Sequence, residues 1–269
     1  MTENPAKEDI VAVSLFRDAG SAAVIGGCST FDGSSGEKPC YELVTGASRI
    51  VDGTGHLVDY FETNSGAIRL LLDKDLPEYI GKSEPDFVAK LLQKGRKALY
   101  DNADTAASAL SDDTSGSSPS LPAMDNLKDV DILCHTGGPK VLREVAKSLH
   151  VTDDNLHSSW EVMRNNGNLS GASNLAVLNH HNELANGNIL GGPGKAASEW
   201  SICLSMGPGV CLEGVLLRDV RCKFRSYSPI YKPVQKDTSA ADVSHQRNVE
   251  RKGTFLRQLR LWGSAAVLK

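Results

Sequence analysis

Three short loops carry residue types able to act on a carbonyl: His135-Thr136-Gly137-Gly138-Pro139, Gly167-Asn168-Leu169-Ser170 and Gly207-Pro208-Gly209. An imidazole N–H and a carboxamide NH2 aimed at one point would form an oxyanion site, two donors meeting an oxygen that becomes anionic only during reaction. The glycines beside them let the backbone take positive φ and approach a ligand closely. Each loop also has a plainer reading. A His after a strand is more often structural than catalytic, Asn168 is suited to cap a helix, and Gly207-Pro208-Gly209 serves as a hairpin turn. Asn168-Leu169-Ser170 is a formal glycosylation sequon. The six cysteines (Cys28, Cys40, Cys134, Cys203, Cys211 and Cys222) contain no C-x-x-C pair and are accompanied by no His pair at helical spacing. That pattern argues against a zinc site or a disulfide framework and leaves reduced, mostly buried thiols as the expectation.

The elements that must position these loops alternate between strand and helix. Residues 22–27, 41–50 and 68–72 read as strands, and Phe87, Val88, Leu91 and Leu92 share one face of a helix. Residues 130–134 (VDILC) form a strand that stops at His135. Pro139 suits the first turn of a following helix, where its missing N–H costs nothing, and Val141, Leu142, Val145 and Leu149 recur at helical spacing. A second helix is expected over about 153–164, and a third after Gly167-Asn168 carrying Ala172, Leu175, Ala176 and Leu178. Residues 200–206 and 210–218 read as strands joined by the Gly207-Pro208-Gly209 turn. This order implies a layered α/β domain, and ligands in such sheets sit at strand ends.

The 269 residues, 40% apolar and 23% charged, can bury a real core. No apolar run approaches the roughly 20 residues that cross a bilayer, and residues 1–9 contain Glu3, Glu8 and Asp9 with no apolar stretch, so no secretory signal and a cytoplasmic address are expected. The formal charge of −4 is unevenly divided: residues 223–269 hold ten Lys or Arg against three acids, a net +7, leaving −11 on the first 222. Residues 101–126, with six Ser and five Asp, are expected to be an exposed, mobile insertion.

Taken together and in this order, the loops resemble those of the type III polyketide synthases, the chalcone and stilbene synthase family of the thiolase fold. That family carries His-Pro-Gly-Gly-Pro, Gly-Asn-x-Ser and Gly-Phe-Gly-Pro-Gly segments. Here they read His135 to Pro139, Gly167 to Ser170 and Ser205-Met206-Gly207-Pro208-Gly209, the last followed by VCLEGVLLR. Upstream, residues 15–27 (LFRDAGSAAVIGG) and 70–77 (LLLDKDLP) are also similar to family segments, so the resemblance covers about 10–220 without the insertion. The departures are Thr136 for proline, Ser205 and Met206 for Gly-Phe, Asp18 one residue early, and Leu70 where many relatives place a gating Phe.

The resemblance implies a thiolase-like fold: residues 1–39 as a remnant of the first half, 40–222 as the C-terminal domain and 223–269 as a basic tail. It implies an acyltransferase that condenses malonyl-CoA, with loss of carbon dioxide, onto an acyl-CoA starter, with coenzyme A thioesters as substrates and no separate cofactor. By this implication His135 and Asn168 are catalytic, Ser170 and the Gly207 to Gly209 turn line an acyl cavity with Leu70, and Lys140 lies near coenzyme A. The family's nucleophilic Cys precedes the region matched here, so no nucleophile is found in this chain. Two rivals stand beside the enzyme: a non-catalytic homologue partnering a complete synthase, and a ketoacyl synthase of fatty acid metabolism. A homodimer or a heterodimer with a complete synthase is implied, with no nucleic acid and no membrane span. Because a buried sheet face would lack its partner, the chain alone is expected to be poorly soluble or to need another polypeptide.

Overall fold

The computed structural model describes residues 7–26, 39–62, 66, 68–107, 121–189 and 198–221. Strands β1 (Tyr41–Ile50), β2 (Val58–Glu62), β3 (Ile68–Leu72), β4 (Val130–Cys134), β5 (Trp200–Gly207) and β6 (Cys211–Asp219) alternate with helices α1 (Lys7–Leu15), α2 (Leu76–Ala107), α3 (Pro139–Ser148), α4 (His157–Asn166) and α5 (Ser173–Ala185). Four strands form a sheet in the order β1-β6-β5-β4, and β2 and β3 form a separate antiparallel pair. β4 and β5 run parallel, with Cys134 opposite Leu204, and β5 and β6 form an antiparallel hairpin. A parallel pair needs a crossover between its members; α3, α4 and α5 supply it.

Side chains alternate across a strand, so each strand of the sheet feeds two cores. Ile132, Cys134, Ile202, Leu204, Leu212 and Leu216 face α2 and α3, where Phe87, Val88, Leu91, Leu92, Val141, Leu142 and Val145 close the larger core. Leu133 and Leu217 face the other way, against Val162, Leu169, Val177 and Leu178. The result is helix, sheet and helix in three layers.

β4 lies at the sheet edge, where unpaired backbone groups are a liability. Here side chains and one backbone carbonyl satisfy them. Ser159 Oγ accepts from Cys134 N–H (2.9 Å), Ile132 N–H donates to Asn155 O (2.8 Å), and Asn155 Nδ2 donates to Val130 O (2.8 Å). The edge that carries His135 is therefore held by α4 and the turn before it.

Several expectations are corrected. The strand expected over 22–27 is absent from its described residues, 22–26, and Val24 and Ile25 are exposed; a strand needs a partner backbone, and none pairs with 22–26 among the described residues. The helix expected from 153 starts at His157, because Asp153 and Asp154 close a turn instead. α2 continues through Ala107, and Leu121 and Met124 pack on the larger core, so both ends of the expected insertion belong to the fold. The residues between them, 108–120, and the basic tail lie outside the described residues. α1 and β2 were not anticipated. Among the described residues no helix is long and apolar enough to cross a membrane.

Candidate active site

His135 follows the last residue of β4 and stays in register with the sheet, its N–H donating to Leu204 O at 2.8 Å. A tight turn through Thr136, with Gly137 N–H returning to His135 O (2.8 Å), then opens α3 at Pro139. Asn168 follows the α4 C-terminus and is 4% exposed, its Oδ1 accepting from Ser170 N–H (2.8 Å). Gly167 enters this loop at φ +74, and a Cβ there would lie 2.6 Å from Leu15 O. Both backbone groups of Asn168 are bound by the segment after α1: Asn168 N–H to Leu15 O (2.8 Å) and Arg17 N–H to Asn168 O (2.9 Å).

Two further contacts bring the His135 and Asn168 loops together. The Thr136 hydroxyl donates to Gly167 O at 2.8 Å. Asn174, in the first turn of α5, donates from Nδ2 to Leu204 O (2.8 Å) and Leu133 O (3.3 Å), which fixes the start of α5 beneath the strand ends. Sequence reasoning named Thr136 only as a departure and passed over Ser173 and Asn174. Their signal was polar residues at buried positions flanking a candidate loop.

Electrostatics suits the donor role. Burial alone pulls the His135 imidazole down to about 4, so at neutral pH it is uncharged and keeps one N–H to donate. Among the described residues neither His135 ring nitrogen nor Asn168 Nδ2 is engaged by another group.

The other expected site residues are placed apart. The Gly207-Pro208-Gly209 turn lies at the same end of the sheet, three residues past Leu204, or about 10 Å along the strand, and is pinned by the Thr54 hydroxyl donating to Gly209 O (2.6 Å). Ser170 is exposed at φ 51. Leu70 is half-buried in β3 opposite Tyr60. Lys140 is exposed and donates to Lys74 O (2.9 Å), which ties the start of α3 to the residues after β3. A cleft of about 290 Å³ lies elsewhere, between Arg143 of α3 and His157, Trp160, Glu161 and Arg164 of α4.

Four cysteines fall among the described residues, and none of them forms a disulfide with another described residue. Cys134 is fully buried and burial holds its thiol well above the ordinary range; Cys203 is pushed up by burial to about 11. Cys40 and Cys211, both partly exposed, are also raised, mainly by desolvation. A nucleophilic thiol needs a lowered pKa, and none of the four has one. Cys28 and Cys222 lie outside the described residues.

Comparison with known proteins bears on family and fold. Residues 120–221 match the family of chalcone and stilbene synthases, C-terminal domain. The chain is 30% identical over 213 residues to probable polyketide synthase 1 of Dictyostelium discoideum, covering 79% of this chain and 6% of that protein. It is 27% identical to type III polyketide synthase A of Arabidopsis thaliana, covering 79% and 45%. Among solved structures, the C-terminal type III polyketide synthase domain of Steely1 from Dictyostelium superposes with a TM-score of 0.57 at 26% identity, over 81% of this chain and 50% of that one. CsyB complexed with CoA-SH shares the fold (TM-score 0.52, 19% identity, over 69% and 42%). The fold is thus thiolase-like, and the chain spans less than half the length of these two curated relatives.

Proposed function

We propose that this chain, a homologue over residues 120–221 of the chalcone and stilbene synthase C-terminal domain, serves decarboxylative condensation of malonyl-CoA with an acyl-CoA starter by supplying the oxyanion donors. The observation that carries this is the joining of the His135 and Asn168 loops, which bear an uncharged imidazole N–H and a carboxamide NH2 that bonds to no other group among the described residues. When the malonyl thioester loses carbon dioxide, the C–C bonding pair passes into the thioester carbonyl as an enolate, and the two donors stabilise the anionic oxygen. The enolate carbon then attacks an acyl thioester, its C–S bond breaks, and a thiolate leaves. Each donor of this kind is worth roughly 2.7 to 4 kcal/mol.

The test is malonyl-CoA decarboxylation by the purified protein. His135→Ala and Asn168→Ala are each expected to lower the rate about 10²- to 10³-fold. Unchanged rates would remove both residues from the site.

One observation favours a second reading. All four described thiols are held above their ordinary range, which suits a non-catalytic homologue that partners a complete synthase. Tight binding to such a synthase, with no decarboxylation by the chain itself, would select this reading over the first.

A further inference from the structure

The loops bearing His135 and Asn168 are joined by more than one bond. Leu169 N–H donates to Ser173 Oγ (3.1 Å), Ser173 Oγ lies 3.1 Å from Thr136 Oγ1, and Thr136 Oγ1 lies 2.8 Å from Gly167 O. Proton counting orients the chain. A carbonyl only accepts, so the one Thr136 proton points to Gly167 O; the Ser173 hydroxyl must then donate to Thr136, leaving its own lone pair for Leu169 N–H. The run Leu169 N–H, Ser173 O–H, Thr136 O–H, Gly167 C=O is head to tail, an arrangement in which each bond polarises the next. It begins and ends on the two neighbours of Asn168, and its central hydroxyl belongs to the neighbour of His135. Thr136 and Ser173 are both fully buried, so water does not compete for these groups.

We infer that Thr136 is a positioning residue, whose hydroxyl locks the His135 and Asn168 loops into one rigid unit through Ser173. The family resemblance places proline at this point, and proline has no hydroxyl to make this chain. The inference rests on the proposed function only for what the locked pair is used for; the lock itself is a property of the fold.

The experiment compares Thr136→Val, which keeps the shape and removes the hydroxyl, with Thr136→Ser, which keeps the hydroxyl. Two readouts are used: the titration midpoint of the His135 ring followed by NMR, and kcat and KM for malonyl-CoA decarboxylation. Thr136→Val is expected to release the His135 loop to solvent and move the midpoint from about 4 toward the ordinary value of 6.5, with kcat down at least tenfold and KM unchanged; Thr136→Ser is expected to restore both. A shifted midpoint in a protein with no decarboxylation upholds the lock and sinks the proposed function. An unmoved His135 midpoint in folded Thr136→Val overturns the lock whatever the activity. Should Thr136→Val fail to fold, Ser173→Ala breaks the chain one bond further on, and an unmoved midpoint there is equally decisive.

Discussion

At the scale of single residues, two buried titratable groups pull the stability in opposite directions with pH. Glu84 on α2 has no exposed surface; among the described residues its Oε1 has no hydrogen-bond partner and Oε2 only a long contact from Ser148 Oγ (3.4 Å). Burial raises its carboxyl from 4.5 to about 8. The unfolded chain ionises this group from pH 4.5, while the folded chain holds its proton to about 8, so stability falls with rising pH across that window, by about 1.4 kcal/mol per pH unit. His135 is depressed from 6.5 to about 4. It therefore favours the fold above 6.5 and loses that contribution as pH falls from 6.5 to 4. Between about 4.5 and 6.5 these two slopes oppose and nearly cancel; above 6.5 the Glu84 slope is no longer offset by His135. Denaturant titrations are expected to show stability declining from pH 6.5 to 8, and Glu84→Gln to abolish that decline. An identical decline in the variant would show that Glu84 is not the cause.

At the scale of elements, the larger core depends on how closely α2 approaches the sheet. A Cβ at Gly214 would lie 2.7 Å from Phe87 Cε1 and 3.0 Å from Leu91 Cδ2. Both partners belong to the core, so neither can swing away. Gly214→Ala is expected to cost about 1 to 3 kcal/mol through overpacking, measured as a lower denaturation midpoint at unchanged slope. At the sheet end away from His135, His181 of α5 joins β1 to β4: Tyr41 Oη lies 2.6 Å from Nδ1 and Asp131 Oδ2 3.1 Å from Nε2. His181→Phe removes both of these buried hydrogen bonds, although Tyr41 Oη still accepts from Arg221 Nη2 (3.0 Å) and Asp131 Oδ2 from Ser198 N–H (3.0 Å), and is expected to cost about 1 to 3 kcal/mol, with little change in the His135 titration because the site lies at the far end of β4. A loss confined to the His135 resonances would contradict this separation.

At the scale of the whole molecule, apolar side chains remain exposed on the segment that runs through α1 to residue 26. Val13 of α1 is 78% exposed, and Val24 and Ile25 are 67% and 80% exposed. The same arm holds Asn168 through Leu15 and Arg17, so what covers these side chains bears on the site. Self-association or aggregation is expected for the chain alone, and Val24→Ser with Ile25→Ser is expected to lessen it in sedimentation experiments. A wild-type protein that stays monomeric at high concentration would refute the expectation.

Much of this protein was readable from residue order. The strand at 41–50, the buried stripe of Phe87, Val88, Leu91 and Leu92, the strand ending at His135 and the helix opened by Pro139 all follow from local periodicity and turn chemistry, because each depends on neighbours within a few residues. What local pattern could not decide was anything whose partner lies far along the chain. Residues 22–25 have the composition of a strand but find no adjacent backbone, and Asp153 turns aside to accept from Trp160 Nε1 (2.9 Å) instead of starting a helix. Asn155 and Ser159 satisfy an edge strand more than 20 residues upstream, and Thr136 and Ser173 meet across 37 residues. The amino-acid order determined which groups are present to donate a hydrogen bond, since imidazole and carboxamide are properties of side chains. Only the tertiary structure decided that the loops bearing them are bonded to one another, because burial and long-range hydrogen bonding exist only once the layers have closed.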